Sequence, residues 1–262
     1  MATTDKPRGR DFGVEGRVVI ITGAGQGIGR EYARQFAAAG AIPVVADLNP
    51  ETAEQAVLEI ITDGGRALAV ATDVSDPASI ANLVDRTMAA FGRIDILINN
   101  ASNYSGLVPT PFDQIPLDTW NRVMNVNLTG SFLAAQAVVP HMRAAGWGRI
   151  INTSSASVPL GMKDHLHYVS AKAGIVGMTS AMARELGDQG ITVNAILPGG
   201  VFTEGLRAIG TNESKMALIA AQCIPCEGEP MDLAGLAIFL SSPAAAFLTG
   251  QTIACDGGLT NW

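Results

Sequence analysis

The chain has 262 residues, 48% of them hydrophobic and 16% charged, with a net charge of −7. That acidic balance excludes binding to nucleic acid or an anionic membrane surface through clustered Lys and Arg, and the apolar content excludes intrinsic disorder. Three cysteines cannot build a disulfide framework, no run reaches the about 18 apolar residues of a membrane span, and the polar start has no apolar signal core, so a cytoplasmic protein is expected.

From residue 17 on, apolar runs alternate with helical patterns. Residues 17–22 (RVVIIT) predict a buried strand, 28–39 a helix closed by Gly40, 42–48 a strand, and 51–63 a helix stopped by Gly64 and Gly65. A strand over 66–74, a helix over 77–91 opening on Pro77, and a strand over 95–99 follow. A long helix over about 117–145 leads to a strand at 149–154, a helix near 168–186 and a strand at 192–197. Helical segments around 205–222 and 232–240 precede a final strand at 251–254. Strands apolar on both faces and separated by helices define an α/β fold: a doubly wound parallel sheet of about seven strands with helices on both faces. No repeat or composition shift divides it. A flexible tail over 1–14 and one domain over 15–262 are expected, with residues 201–229 breaking the rhythm as a substrate lid at the carboxyl ends of the strands.

Between the first strand and the first helix lies Thr22-Gly23-Ala24-Gly25-Gln26-Gly27-Ile28-Gly29. Glycines there let the backbone approach a pyrophosphate while the helix N-terminus offers free N–H groups, a Rossmann-type arrangement. A glycine turn alone is weak; the strand before, the helix after and an acid ending the next strand strengthen it. That acid is Asp47, eighteen positions beyond Gly29, where a carboxylate accepts both hydroxyls of an adenosine ribose and repels a 2′-phosphate. With Leu48 next and Gln26 in the loop, no base compensates, and the reading is NAD rather than NADP. The plainer alternative for Asp47 is a helix cap before Pro50, a job Asn49 can also do. Asp73 and Val74, and Asn100 and Ala101, end the third and fourth strands and are expected around the adenine and ribose. Asp73 can instead cap the helix at Pro77, although Ser75 and Asp76 are better placed.

Tyr168 and Lys172 lie one helical turn apart and present their polar tips to one side. An ordinary surface pair looks the same, but this one follows a buried strand ending in Thr153-Ser154-Ser155, on the edge that carries the glycine loop. A phenol has a pKa of about 10, and making it a base near neutrality takes about 4 kcal/mol. A neighbouring ammonium and a cationic nicotinamide ring would supply this by favouring phenolate.

With these motifs the sequence resembles the short-chain dehydrogenase/reductase family, in its single-domain branch, from about residue 16 to 258. The resemblance rests on TGAGQGIG at 22–29, NNAS at 99–102, Asn127 in NVNLTG, Ser155 with YVSAK at 168–172, PGGVFT at 198–203, and DGG at 256–258. It implies Tyr168 as general acid/base and Lys172 as the residue that lowers its pKa and holds the nicotinamide ribose. It selects Ser155, thirteen positions before the tyrosine, over Ser154 to bind the substrate oxygen. Asn127 would anchor a water near the lysine, while Pro198, Val201 and Thr203 would meet the nicotinamide end. Ser102 replaces the family's usual glycine and adds a hydroxyl near the cofactor. The family also implies a homotetramer.

By the same analogy, the substrate pocket draws on residues 102–107, 156–162 and 202–216. Tyr104, Leu107, Val158, Leu160, Met162, Leu206, Ile209 and Met216 form an apolar wall suited to a hydrophobic or aromatic alcohol–ketone pair. Lys163 and Arg207 stand at the rim for a carboxylate or phosphate. His165 and His167 read as surface residues at the start of a helix, with Asp164 its cap. Cys223 and Cys226 have redox- or metal-like spacing but lack a second pair. The competing readings are a 3-oxoacyl-carrier-protein reductase, expected to prefer NADPH, and a catalytically idle NAD-binding sensor or scaffold.

Overall fold

The computed structural model describes residues 12–104, 106–207 and 211–260, without the side chain of Leu206. Seven strands run in parallel: β1 (Val18–Thr22), β2 (Ile42–Asp47), β3 (Leu68–Ala71), β4 (Ile96–Asn99), β5 (Gly148–Thr153), β6 (Ile191–Pro198) and β7 (Thr252–Cys255). Their order is β3-β2-β1-β4-β5-β6-β7. Every residue of β1, β2, β4, β5 and β6 is buried, which is why those strands read as unbroken apolar runs. The chain winds outward from β1 to β3 and then returns to lay β4 on the other side of β1. At this reversal the strand ends diverge and leave a crevice.

Helices cover both faces. On one, α1 (Gly27–Ala38), α2 (Pro50–Thr62) and α10 (Pro230–Ser241) bury Tyr32, Phe36, Ile60 and Leu233. On the other, α3 (Pro77–Phe91), α5 (Gly130–Ala145) and α7 (Leu166–Leu186) bury Leu83, Val138, Met142 and Leu186. The expected long helix is interrupted: α4 (Leu117–Met124) passes through a π-helical turn, Asn125–Thr129, before α5 begins. Gly174 of α7 lets that turn come close, since a Cβ there would lie 2.8 Å from Leu128.

Several expectations are corrected. The third strand ends at Ala71 rather than 74, because Asp73 turns the chain by accepting from the Ser75 N–H at 2.8 Å and the Ser75 hydroxyl at 2.6 Å. The segment 205–222 is two helices, α8 (Glu204–Arg207) and α9 (Asn212–Ala220), and a short α6 (Ser157–Leu160) was not expected. The tail does not extend to residue 14: Val14 is fully buried, and Phe12 stacks on Phe239 at 6.3 Å. Residues 1–11 lie outside the described residues. Asp164 does not cap α7; it takes a left-handed φ of 62° and His165 follows as the first flanking residue, without a side-chain cap. Both His165 and His167 are buried, not exposed, because α7 starts beneath the loop after β4. Among the described residues no helix is long and apolar enough to cross a membrane.

Candidate active site

At the strand reversal, a cleft of about 470 Å³ opens over the carboxyl ends of β1, β2 and β4. Gly23, Gln26, Gly27 and Ile28 form one wall, Asp47, Leu48, Asp73 and Val74 the far end, and Asn100 and Ala101 the floor. The loop is clamped from several sides. Thr22 Oγ1 accepts from the N–H groups of Asn100 and Ala101, both at 3.0 Å, and Asn100 Nδ2 donates to the carbonyls of Thr22 and Gly23. The glycines are required by close approach: a Cβ at Gly23 would lie 2.8 Å from Ala101 Cα, and one at Gly29 would strike the Gly23 carbonyl. Gly25 does not face the cleft. Its N–H donates to Asp47 Oδ2 at 2.8 Å, and a side chain there would collide with Thr52 and Asp47.

The two readings of Asp47 separate. Asn49 caps α2, accepting from Glu51 N–H at 2.9 Å, while Asp47 borders the cleft and accepts from the N–H groups of Gly25 and Asn49. For Asp73 the helix-capping job falls to Asp76, which accepts from Ala78 N–H at 3.0 Å. An open helix N-terminus, a collar without room for side chains and a buried acid at the far end fit an adenine dinucleotide.

A second cavity of about 280 Å³ continues from the first, sharing Ile28, Asn100, Ser102, Tyr104 and Thr203 with it. Ser155, Tyr168, Lys172, Pro198 and Val201 line it. Ser154 Oγ donates to the Lys172 carbonyl at 2.8 Å and so serves α7, whereas the Ser155 and Ser102 hydroxyls stand by the Tyr168 phenol and favour its ionised form. Lys172 is 2% exposed; its ammonium donates to the Thr153 carbonyl at 2.8 Å and lies 5.8 Å from the Tyr168 ring centroid. Burial dominates both groups. It pushes the Tyr168 phenol up to about 12 against the pull of the Ser155 hydrogen bond, and draws the Lys172 ammonium down to about 8. Without cofactor, burial therefore outweighs the groups that favour phenolate.

Asn127 sits in the π-helical turn, fully buried. Its Oδ1 accepts from the Asn103 N–H at 2.6 Å and its Nδ2 donates to the Asn103 carbonyl at 3.4 Å, so its side chain holds the loop after β4. π-helical turns of this kind frequently occur at functional sites. Of the expected pocket wall, Tyr104, Leu160 and Met162 line the cavity; Leu107, Val158 and Met216 do not, and Met216 is 64% exposed. The side chain of Leu206, and Ile209 altogether, lie outside the described residues. Leu218 and Leu259 line the cavity instead, which no local motif signals because they arrive from α9 and from beyond β7. Arg207 is not a rim residue awaiting an anion: its guanidinium pairs with Glu227 at 2.7 Å and donates to the Phe202 carbonyl. Lys163 stands near Asp164 at 3.9 Å. Cys226 lines a different, smaller cavity together with Cys255, and Cys223 Sγ donates to the Gly258 carbonyl.

A dinucleotide cleft that opens into a pocket holding a Ser–Tyr–Lys group defines a nicotinamide-dependent oxidoreductase of the doubly wound kind. A family model described as Enoyl-(Acyl carrier protein) reductase matches residues 23–260. The chain belongs to the short-chain dehydrogenase/reductase family. It is 41% identical over 244 residues to the uncharacterized oxidoreductase Rv0769 of Mycobacterium tuberculosis (strain ATCC 25618 / H37Rv), covering 93% of this chain and 97% of that protein. It is 39% identical over 248 residues to the 3-oxoacyl-[acyl-carrier-protein] reductase of Synechocystis sp. (strain ATCC 27184 / PCC 6803 / Kazusa), covering 93% and 96%. Among solved structures it is similar to a 7 alpha-hydroxysteroid dehydrogenase complexed with NADH and 7-oxo glycochenodeoxycholic acid, with a TM-score of 0.90 and 36% identity over 94% of this chain and 95% of that one.

Proposed function

We propose that this protein interconverts a secondary alcohol and a ketone with NAD, taking a small hydrophobic or aromatic substrate. The observation that carries the reading is the continuity of the two cavities, with Tyr168 and Ser155 in the second and Asp47 at the far end of the first. When bound, the nicotinamide supplies the hydride acceptor or donor.

The chain's own residues do the rest. Ser155 Oγ hydrogen-bonds the substrate oxygen and fixes its orientation. Tyr168 Oη takes the hydroxyl proton during oxidation and returns it during reduction. Lys172 contributes the ammonium that favours phenolate and meets the nicotinamide ribose. Asn127 holds the loop that closes the site and anchors a water for proton exit. Gly23, Gln26, Gly27 and Ile28 receive the pyrophosphate with Gly25 bracing Asp47 behind them. Asp47 and Leu48 face the adenosine ribose, and Asp73, Val74, Asn100 and Ala101 enclose the adenine side. Pro198, Val201 and Thr203 meet the carboxamide end. A homotetramer in the cytoplasm completes this reading.

The test is an initial-rate screen of secondary alcohols, with 1-phenylethanol and a polyol among them, using NAD and NADP in parallel. Turnover with NAD, faster on 1-phenylethanol than on the polyol, is expected. A preference for NADPH with turnover of a 3-oxoacyl thioester would move the carrier-protein reductase reading forward. Tight NAD binding without any turnover would favour the idle sensor.

A further inference from the structure

Tyr104 occupies a position that neither the catalytic group nor the cofactor cradle explains. It lines both cavities, at the place where they meet. Its ring packs on that of Tyr168, with centroids 4.7 Å apart and planes inclined by 48°. The buried ring of His165 stands 6.1 Å away at 32°, so Tyr104 contacts two rings from the start of α7. That second ring is itself held: His165 Nδ1 lies 3.0 Å from the Lys163 carbonyl, which only accepts, so Nδ1 carries the proton. The Asn127 clamp fixes the backbone one residue earlier, and Leu107 N–H closes a turn on the Tyr104 carbonyl at 3.0 Å. The ring is therefore set in place before any substrate arrives.

The rest of the wall matters as much. Leu160, Met162 and Leu218 give the cavity apolar lining beside the hydroxyl-bearing Ser102, Ser155 and Ser157, and Lys172 is the single charged side chain among its described lining residues, committed to the Thr153 carbonyl. The cavity of about 280 Å³ is shared between the nicotinamide end, at Pro198, Val201 and Thr203, and the substrate. Resting on the alcohol–ketone reading above, we propose that Tyr104 selects the substrate: its ring is the aromatic wall on which an aryl group stacks, directing the carbinol or carbonyl oxygen toward Tyr168 and Ser155. Offset or tilted ring pairs at such separations add affinity beyond area burial, so the preference for aryl over alkyl partners should be about 3–10-fold from this contact alone.

The experiment compares Tyr104→Leu, Tyr104→Phe and the unaltered protein on 1-phenylethanol and 2-butanol, reading the ratio of kcat/KM. The ratio should fall by about 3–10-fold in the leucine variant and return with phenylalanine. A merely structural role would slow both alcohols together and leave the ratio unmoved, which overturns the assignment. A second arm needs no turnover. In a Tyr168→Phe background, acetophenone and 2-butanone are titrated into the NADH complex by fluorescence, with and without Tyr104→Leu. Loss of the acetophenone preference in the leucine variant upholds the assignment even where turnover is absent, a result that would count against the dehydrogenase reading alone. Equal preference in both proteins, or binding of neither ketone, overturns it.

Discussion

The chemistry proposed for Tyr168 works against its surroundings. Removing a phenol from water favours its neutral form, and the Ser155 hydrogen bond returns only part of that. Oxidation by the proposed route requires the phenolate, so its rate should rise as pH approaches the phenol's pKa in the cofactor complex, while ketone reduction, which needs the protonated phenol, should fall over the same window. Replacing Ser155 with alanine removes the donor that favours phenolate, so the alkaline limb for oxidation should move to higher pH, with kcat lower by about 100–1000-fold. A profile recorded for both proteins checks this; an unshifted limb would detach Ser155 from the phenol. Residue identities here were legible because spacing carries them: Tyr168 and Lys172 are one turn apart, and Asp47 ends a strand. What spacing could not resolve was which of two neighbours does which job. Asp47 and Asn49 are both capable caps, and only the direction of each side chain separates them. His165 and His167 were misread because burial at a helix start depends on the loop folded over it, far away in sequence.

At the scale of elements, a chain of buried polar groups ties the sheet to its helices beneath the site. Asn99 Nδ2 donates to the Ser131 carbonyl and to Asn152 Oδ1, and Asn152 Nδ2 donates to Thr179 Oγ1 at 2.9 Å. These contacts join β4, β5, α5 and α7, which carry Ser155, Tyr168 and Lys172 at their ends. Asn152→Leu would leave the Asn99 amide and Thr179 hydroxyl short of partners in a fully buried place. The expected loss is about 2–4 kcal/mol of stability, read from the urea midpoint with m unchanged. A cost below about 0.5 kcal/mol would mean that the network contributes packing only. The sheet and flanking helices could be read from the alternation of apolar runs, since buried parallel strands leave that trace. The π-helical turn left none, because residues 125–129 continue a helical pattern on both sides. Nor did the split of the lid segment, where α9 is held by a local Thr211–Ser214 capping box rather than by apolar periodicity.

Taken whole, the molecule is a rigid sheet whose strand ends face a two-part crevice, roofed by segments that belong to no strand. The loop after β4, fastened by Asn127, and the segment leading from Val201 through α8 and α9 both border the junction of the two cavities. In the proposed reading, cofactor and substrate meet at this junction, where polar clamps such as Asn127 hold the chain. A ligand that fills the first cleft should therefore stabilise the whole fold by mass action, about 2.7 kcal/mol at a hundred times its Kd. Thermal unfolding with NADH should show that increase at matched concentration, whereas NADPH, which brings a phosphate against Asp47, should give less. The most direct test of the central claim is Tyr168→Phe, with NADH affinity and turnover measured on the same preparation. The account predicts a Kd for NADH within about 3-fold of the unaltered protein and turnover lower by at least about 100-fold, as expected when a positioned acid/base is lost from an intact site. Turnover that survives the substitution would contradict it, and would assign the proton transfer to another group.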